Sequence, residues 1–281
     1  MKRLHVVVFL FLLFVMFQAA VTVVKADKEV YIRADGSVEG TDKIQRDGNV
    51  YTLTDDLSAT IYVQKKGIVL DGAGYTLDGD GQRYGIDLSN GRGLDSSRKQ
   101  MENVVVKNFR ITNFQIAINL ICADNCSIIG NYMNQFSTGI TMIYGDFLIK
   151  HNTIENDFKG ATLSSPSYVS EYKGNKNITE NNFYNFSLSI VLPVELYFDS
   201  NYWSSCDAPD EDMDGIRDTP YVVYERDDKM MGTFEFVDEH PLTNPVEAAP
   251  VIPEFQAWIV LPLLVTGVLA ALFCKKKLEQ K

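Results

Sequence analysis

An asparagine pattern in the middle of the chain constrains the fold more than any other feature. Fifteen Asn lie between residues 103 and 203, and five of them recur at spacings of 23, 21, 29 and 20 residues: Asn108, Asn131, Asn152, Asn181 and Asn201. An apolar residue stands three positions before each, and the repeats close with short alternating strands. Strands this short cannot bury their apolar faces alone, so successive repeats must stack. The pattern predicts an all-β chain, a parallel β-helix with coils of about 21 residues.

The asparagines are expected at the corners of the coils. Asn tolerates left-handed backbone angles, and its side-chain amide can bond the Asn of the next coil to form a ladder. The column before this ladder is predicted to contain Lys107, Gly130, His151, Glu180 and Ser200. His151 and Glu180 should therefore lie on adjacent coils and pair. A second polar stripe is predicted to contain Asp87, Asn119, Thr141, Thr162 and Val191.

The two ends of the chain predict its location. Met1-Lys2-Arg3 and the apolar run that follows are typical of a secretory signal peptide cleaved after Ala26; the alternative is an uncleaved membrane anchor. Residues 255–274 carry no charge and are long enough to cross the hydrocarbon core as a helix. Three lysines follow at 275–277, and basic flanks stay cytoplasmic, so residues 27–254 are expected outside the cell.

These features divide the chain into seven segments. They are a signal peptide over 1–26, an N-terminal cap with the first strands over 27–67, β-helix repeats over 68–203, an acidic C-terminal cap over 204–243, a proline-rich spacer over 244–254, a transmembrane helix over 255–274 and a basic cytoplasmic tail over 275–281. An insertion near Ser164 to Asn175 is expected to bulge from the solenoid. Its Tyr168 and Tyr172 are candidates for stacking on a sugar ring or for simple packing.

Charge and cysteine content exclude some functions. Residues 27–256 contain 19 basic and 36 acidic residues, a net charge of −17, which repels phosphate backbones and argues against nucleic-acid binding. Cys122, Cys126 and Cys206 are expected outside the membrane, where a disulfide between Cys122 and Cys126 can form. No second Cys or His pair accompanies them at the spacing of a zinc site.

The acidic cap carries a candidate metal site. A loop with Gly at its sixth position places possible ligands at positions 1, 3, 5, 7 and 9: Asp210, Asp212, Asp214, the carbonyl of Ile216, and Asp218. Alternate carboxylates and a carbonyl oxygen are ligands that Ca²⁺ prefers. Position 12 is Tyr221 and not a bidentate Glu, so the loop departs from the EF-hand. We expect a structural calcium ion that orders the cap; the alternative is an acidic loop that only ends the solenoid.

Several segments resemble NosD-like right-handed parallel β-helix proteins over residues 30–242. They are the entry coil 70–79, the coils that close with Gly85-Ile86-Asp87-Leu88 and Gly139-Ile140-Thr141-Met142, and the closing Asn201-Tyr202-Trp203 with residues 214–221. The resemblance implies a right-handed β-helix and, for NosD itself, a role in copper-site maturation of nitrous-oxide reductase. Between the signal peptide and the predicted span the only histidines are His151 and His240, and no Met or Cys cluster supplies soft ligands. We therefore expect the fold without the copper role.

The C-terminal region carries a second resemblance. Pro253-Glu254-Phe255, the apolar stretch and the basic cluster resemble the C-terminal tails of archaeal surface proteins, some of which are processed at a Pro-Glu-Phe signal. Simple anchoring by the apolar helix is the interpretation that these residues favour.

A carbohydrate-active enzyme is the main alternative function, as a polysaccharide lyase, hydrolase or epimerase. Tyr84-Gly85-Ile86-Asp87 resembles the start of the Tyr-Gly-Phe-Asp-Pro-His signature of mannuronan epimerases, but Leu88-Ser89 replaces the Pro-His. No catalytic residue is therefore assigned, and Asp87, His151 and Glu180 are the first candidates if turnover occurs. We expect a non-catalytic module, anchored in the cell membrane, that binds an extended partner such as a polysaccharide or a surface-layer protein.

Overall fold

The computed structural model describes residues 29–89, 101–121, 123–143, 145–155, 161–165, 175–190, 195–228 and 232–247. The predicted signal peptide and transmembrane helix, together with Cys122, Tyr168, Tyr172 and Val191, lie outside these ranges. Within them, no helix is long and apolar enough to cross a membrane.

Short strands dominate the described ranges. The first twelve are β1 (Glu29–Ile32), β2 (Val38–Glu39), β3 (Ile44–Asp47), β4 (Val50–Leu53), β5 (Thr60–Val63), β6 (Val69–Asp71), β7 (Thr76–Asp78), β8 (Tyr84–Asp87), β9 (Met101–Glu102), β10 (Val105–Lys107), β11 (Arg110–Ile121) and β12 (Ala123–Asp124). The next twelve are β13 (Cys126–Ile129), β14 (Tyr132–Ile143), β15 (Phe147–Lys150), β16 (Thr153–Glu155), β17 (Ala161–Ser165), β18 (Lys176–Thr179), β19 (Asn182–Tyr184), β20 (Leu188–Ile190), β21 (Tyr197–Asp199), β22 (Tyr202–Trp203), β23 (Tyr221–Asp228) and β24 (Gly232–Asp238).

The strands join into long parallel sheets. One sheet has 10 strands in the order β23-β24-β21-β18-β15-β13-β10-β6-β4-β3, and another has 12 along the path β2-β1-β5-β8-β11-β14-β16-β19-β22, with β7, β17 and β20 attached. Pairing is parallel except in the hairpins β1–β2, β3–β4 and β23–β24. The described part of the chain is therefore all-β, and its parallel sheets are consistent with a β-helix, as the asparagine repeat predicts.

The 12-stranded sheet turns a corner because β11 and β14 bend. Asn113 and Gln135, in the middle of these strands, have φ of 63° and 52°. We call the 10-stranded sheet wall 1. Wall 2 is the part of the larger sheet before the bend (β7, the first halves of β11 and β14, β16, β19 and β22). Wall 3 is the part after it, with β1, β5, β8, β17 and β20.

Apolar side chains from all three walls fill the interior. Equivalent residues of successive strands pair in register and form buried columns. Wall 1 contributes Tyr51, Leu70, Val106, Ile128, Ile149, Ile178 and Phe198; wall 2 contributes Leu77, Ile111, Met133, Ile154, Phe183 and Trp203; wall 3 contributes Val30, Ile61, Ile86, Ile118, Ile140 and Leu163. Because side chains alternate along a strand, the residues on either side of each column point outward.

A buried asparagine ladder joins walls 1 and 2. Its members are Asn131, Asn152, Asn181 and Asn201, and each Nδ2 donates to the side-chain oxygen of the next member at 3.0 Å. At the end of the ladder, Asn201 Nδ2 donates to Asp238 Oδ2 at 3.0 Å. At its start, the backbone N–H of Phe109 donates to Asn131 Oδ1. The predicted ladder is therefore confirmed from Asn131 onward.

The sequence alignment is wrong by one residue in the first repeat. Val106 pairs with Ile128, so Phe109 and not Asn108 lies in the ladder column. Asn108 belongs to the left-handed corner one position earlier, whose members Asn108, Gly130, His151, Glu180 and Ser200 have φ between 54° and 64°. The prediction of Lys107 for this corner is therefore wrong.

The outer stripe of wall 3 also differs from the alignment. Thr141 pairs with Ser164, and Ser164 pairs with Ser189, in place of the predicted Thr162 and Val191. Ser164 lies within β17, so the strand continues into the start of the predicted insertion.

Candidate ligand-binding face

The outer surface of wall 2 carries two columns of polar and aromatic side chains, which we call the wall-2 face. One column flanks the buried residues on their N-terminal side and consists of Thr76, Arg110, Tyr132, Thr153, Asn182 and Tyr202. The other flanks them on the C-terminal side and consists of Asp78, Thr112, Asn134, Glu155 and Tyr184. Neighbouring strands lie about 4.8 Å apart, so six coils present these groups over about 24 Å.

A contact network centred on Tyr132 crosses three coils of this face. The Arg110 guanidinium lies 4.8 Å from the centroid of the Tyr132 ring. The Tyr132 hydroxyl donates to Glu155 Oε2 at 2.6 Å, and Asn134 Nδ2 donates to the same hydroxyl at 3.3 Å. Asn134 Oδ1 is buried and accepts no hydrogen bond among the described residues. The network thus holds the tyrosine ring in place and leaves one amide acceptor unused.

Two further tyrosines lie at the C-terminal end of the wall-2 face. Tyr184 and Tyr202 have ring centroids 5.7 Å apart with a tilted geometry. Burial raises the pKa of the Tyr184 phenol, and the neighbouring Tyr202 and Glu155 act in the same direction, so it stays neutral and able to donate. Half-buried tyrosines offer both an apolar ring face and a hydroxyl to a ligand.

The sequence prediction did not identify the wall-2 face. The candidate contacts predicted from the sequence are Tyr168 and Tyr172, which lie outside the described residues, and the polar stripe at Asp87. The signal was present, because the apolar residue two places after each ladder position points inward. Its two neighbours must therefore point outward. Reading those neighbours coil by coil gives the two columns of the face.

The predicted stripe through Asp87 lies on wall 3. Tyr31, Tyr62, Asp87, Asn119 and Thr141 are in register there. The rings of Tyr31 and Tyr62 stack at 5.0 Å, while Asp87, Asn119 and Thr141 are only 2%, 1% and 4% exposed. Asp87 Oδ1 accepts hydrogen bonds from Asn119 Nδ2 at 2.9 Å and from the Ser89 N–H at 2.8 Å. The carboxylate is thus held in a structural network.

The predicted pairing of His151 with Glu180 is confirmed. His151 Nε2 contacts Glu180 Oε2, and Lys150 Nζ lies 2.7 Å from Glu180 Oε1. The hydrogen bond from Lys150 is the main cause that lowers the pKa of Glu180, and His151 adds to it. Both carboxylate oxygens of Glu180 are thus occupied, one by Lys150 and the other by His151, which fits a surface ion pair.

The acidic loop brings three of its five predicted ligands together. Ligand oxygens of Asp210, Asp212 and Asp214 lie within 4.8 Å of one another. Asp218 Oδ2 instead accepts the N–H of Glu211 at 2.8 Å. Ile216 forms an antiparallel bridge with Leu242, and its N–H donates to Asp214 Oδ1 at 2.7 Å.

The two cysteines within the described ranges are buried free thiols. Burial raises the pKa of the Cys126 thiol to about 11, and its sulfur donates to the Asp124 carbonyl at 3.3 Å. Cys206 is also buried. A buried thiol with a raised pKa, such as that of Cys126, is a poor nucleophile and a poor metal ligand.

Comparison with known proteins gives no relative. No protein-family model, no curated protein and no solved structure matches the chain.

Proposed function

We propose that this chain is a non-catalytic surface module that binds an extended glycan outside the cell. In this proposal the module is a right-handed parallel β-helix with a NosD-like fold, and a C-terminal transmembrane helix anchors it in the membrane. The observation that carries the proposal is the wall-2 face. Its tyrosines offer rings for stacking on sugars, and its amide, hydroxyl and carboxylate groups can bond sugar hydroxyls.

The shape and charge of the face narrow the ligand class. Outward polar and aromatic positions recur on each coil and extend over about 24 Å, so the face suits a polymer that runs along the solenoid axis more than a compact small molecule. The surrounding segment 27–256 has a net charge of −17 and repels polyanions at long range. We therefore favour a neutral polysaccharide over an acidic one.

Binding can be tested with the full chain in detergent micelles, using fluorescein-labelled dextran and polygalacturonate and measuring both retention and product mass. Tyr184→Ala removes a ring from the wall-2 face, and Tyr197→Ala removes one that is 52% exposed on wall 1. We expect about tenfold weaker dextran binding for Tyr184→Ala, because a stacked ring contributes about 1.4 kcal/mol. The control should bind like the wild type.

The other outcomes of this experiment also decide the question. Release of shortened or unsaturated products would replace the proposal by a carbohydrate-active enzyme. If neither polysaccharide is retained, the module does not bind these glycan classes and the proposal fails.

We also propose that the acidic loop binds a structural calcium ion through Asp210, Asp212 and Asp214, with the Ile216 carbonyl and Asp218 completing the set. The close approach of three carboxylates in one loop supports this. Extracellular calcium modules bind with a Kd of about 10⁻⁴ to 10⁻³ M.

Millimolar Ca²⁺ should raise the melting temperature of the wild type and leave the melting temperature of Asp212→Asn unchanged. Asp207→Asn, at an exposed carboxylate outside the loop, is the control.

A further inference from the structure

The end of the described chain folds back onto the wall-2 face. After β24, Leu242 bridges Tyr202 in parallel and donates its N–H to the Asn201 carbonyl at 2.9 Å, so it continues the stack. Residues 244–247, which we call the strap, then return to β19, one coil earlier than β22.

A reciprocal pair of hydrogen bonds holds the strap. The N–H of Val246 donates to Asn182 Oδ1 at 2.7 Å, and Asn182 Nδ2 donates to the Val246 carbonyl at 2.8 Å. Asn182 Nδ2 also donates to Thr153 Oγ1 at 3.1 Å. Both contacts of Val246 use its main chain, so Asn182 recognises an extended backbone and not the valine side chain.

This contact occupies a polar group near the C-terminal end of the wall-2 face. Asn182 points outward, between Thr153 and Tyr202 of the same column, yet it is only 6% exposed. Its amide is both the donor and the acceptor that a sugar hydroxyl pair would use at this position. A ligand that runs along the whole face must therefore displace Val246.

We propose that the strap is an autoinhibitory segment whose main chain occupies the Asn182 position and competes with the glycan. This inference rests on the proposed function. The strap begins two residues after Leu242, and so short a tether keeps its local concentration at the millimolar level or above. The glycan therefore contacts the C-terminal end of the face only after it displaces the strap, and this competition weakens its apparent affinity.

The chain offers a matched pair of variants that leave the wall-2 face intact. Val246→Pro removes the N–H that donates to Asn182, whereas Val246→Ala keeps it. In the full chain in detergent micelles, Val246→Pro should bind fluorescein-labelled dextran at least threefold more tightly than the wild type. Val246→Ala should bind like the wild type.

Docking of the strap is measured separately by amide hydrogen exchange. The backbone amide of residue 246 should be protected from exchange in the wild type and in Val246→Ala, and it should lose this protection in Asn182→Ala. A Val246 amide that exchanges freely in the wild type overturns the docked strap, whatever the dextran result.

The remaining outcomes separate this inference from the function on which it rests. A protected Val246 amide with equal dextran affinity in the wild type and Val246→Pro overturns inhibition and leaves glycan binding in place. If no variant retains dextran or polygalacturonate, glycan binding fails and the inhibitory role fails with it, while the exchange data still report whether the strap docks.

Discussion

Asp238 is a buried carboxylate at the end of the asparagine ladder. It is 0% exposed, and its Oδ2 accepts hydrogen bonds from the Asn201 N–H, Asn201 Nδ2 and Trp203 Nε1. Its Oδ1 accepts the N–H groups of Ser200 and His240. Five donors thus converge on one buried carboxylate. This number of donors offsets the cost of removing the charge from water.

Replacing Asp238 by Ala leaves those donors without an acceptor. Each buried unsatisfied group costs about 1–3 kcal/mol, and partial relaxation makes an overall loss of about 3–5 kcal/mol of unfolding free energy the expected result. Urea denaturation followed by tryptophan fluorescence measures it, because Trp203 contacts Asp238 directly. Asp207→Ala, at an exposed carboxylate, should change the free energy by less than about 0.5 kcal/mol. Equal effects would contradict the assigned role.

His240 provides a pH-dependent contact at the same end. Its Nδ1 lies 2.7 Å from Asp199 Oδ1, and this hydrogen bond, with the charge of Asp199, raises the pKa of His240 above 6.5. The stability that the pair contributes is complete below pH 6.5 and disappears as the pH rises through the folded pKa.

NMR titration of the His240 ring should give a pKa above 6.5 in the wild type and a value near 6.5 in Asp199→Asn. The stability difference between the two proteins should shrink between pH 6 and pH 8. An unchanged His240 pKa in Asp199→Asn would show that another group causes the shift.

At the scale of elements, the bend in β11 and β14 separates wall 2 from wall 3. Gln135 turns β14 from wall 2 to wall 3 with φ of 52°, a conformation that side chains branched at Cβ resist strongly. Gln135→Val should therefore lower the free energy of unfolding by about 1–2 kcal/mol or more. Ser137→Val, exposed on the same strand, is the control and should cost less than about 0.5 kcal/mol. Thermal denaturation followed by circular dichroism compares them.

The stacked strands were predictable from the sequence because the apolar period is regular. The asparagines alone give the wrong register for the first repeat, since the left-handed corner and the ladder lie next to each other and Asn suits both. Asn108 fills the first position and Phe109 the second. The apolar flanks Val106 and Ile111 keep the spacing of Ile128 and Met133 around the ladder column, and they give the correct alignment.

The site was less predictable than the fold. Alternation alone assigns outward positions, so the columns of the wall-2 face could have been derived from the correct register. The Arg110–Tyr132 contact and the Tyr132–Glu155 hydrogen bond depend on side-chain conformations that no spacing determines. The reciprocal hydrogen bonds between Asn182 and Val246 join residues that are 64 positions apart in sequence. Val246 lies outside the repeat, so the periodic pattern of the sequence does not predict this contact.

At the scale of the whole molecule, each coil contacts mainly the coils before and after it. Stability in such stacks is close to a sum of local and nearest-neighbour contributions. Removing a buried side chain from the middle should therefore weaken coils on both sides, whereas removing one at the end should weaken only the end.

Ile140→Ala and Val30→Ala test this expectation, since both side chains are fully buried on wall 3. Ile140→Ala should cost about 2–5 kcal/mol and reduce hydrogen-exchange protection in β8, β11, β14 and β17. Val30→Ala should reduce protection mainly in β1 and β5. Uniform loss of protection across all coils in Val30→Ala would instead indicate a single cooperative unit.

The end of the asparagine ladder also limits how far the stack of coils can extend. An amide gives one hydrogen bond and takes another, so a row of amides can be extended by any further copy that stacks on it. Asp238 accepts hydrogen bonds from Asn201 at Oδ2, and its side chain has no amide N–H to donate onward. The row of hydrogen bonds therefore ends at an acceptor, and the ladder has no free donor at that end for a second molecule. Because Asp238 and Asn201 are both fully buried, the ladder ends inside the protein and offers no exposed position at which the ladder of a second molecule could continue.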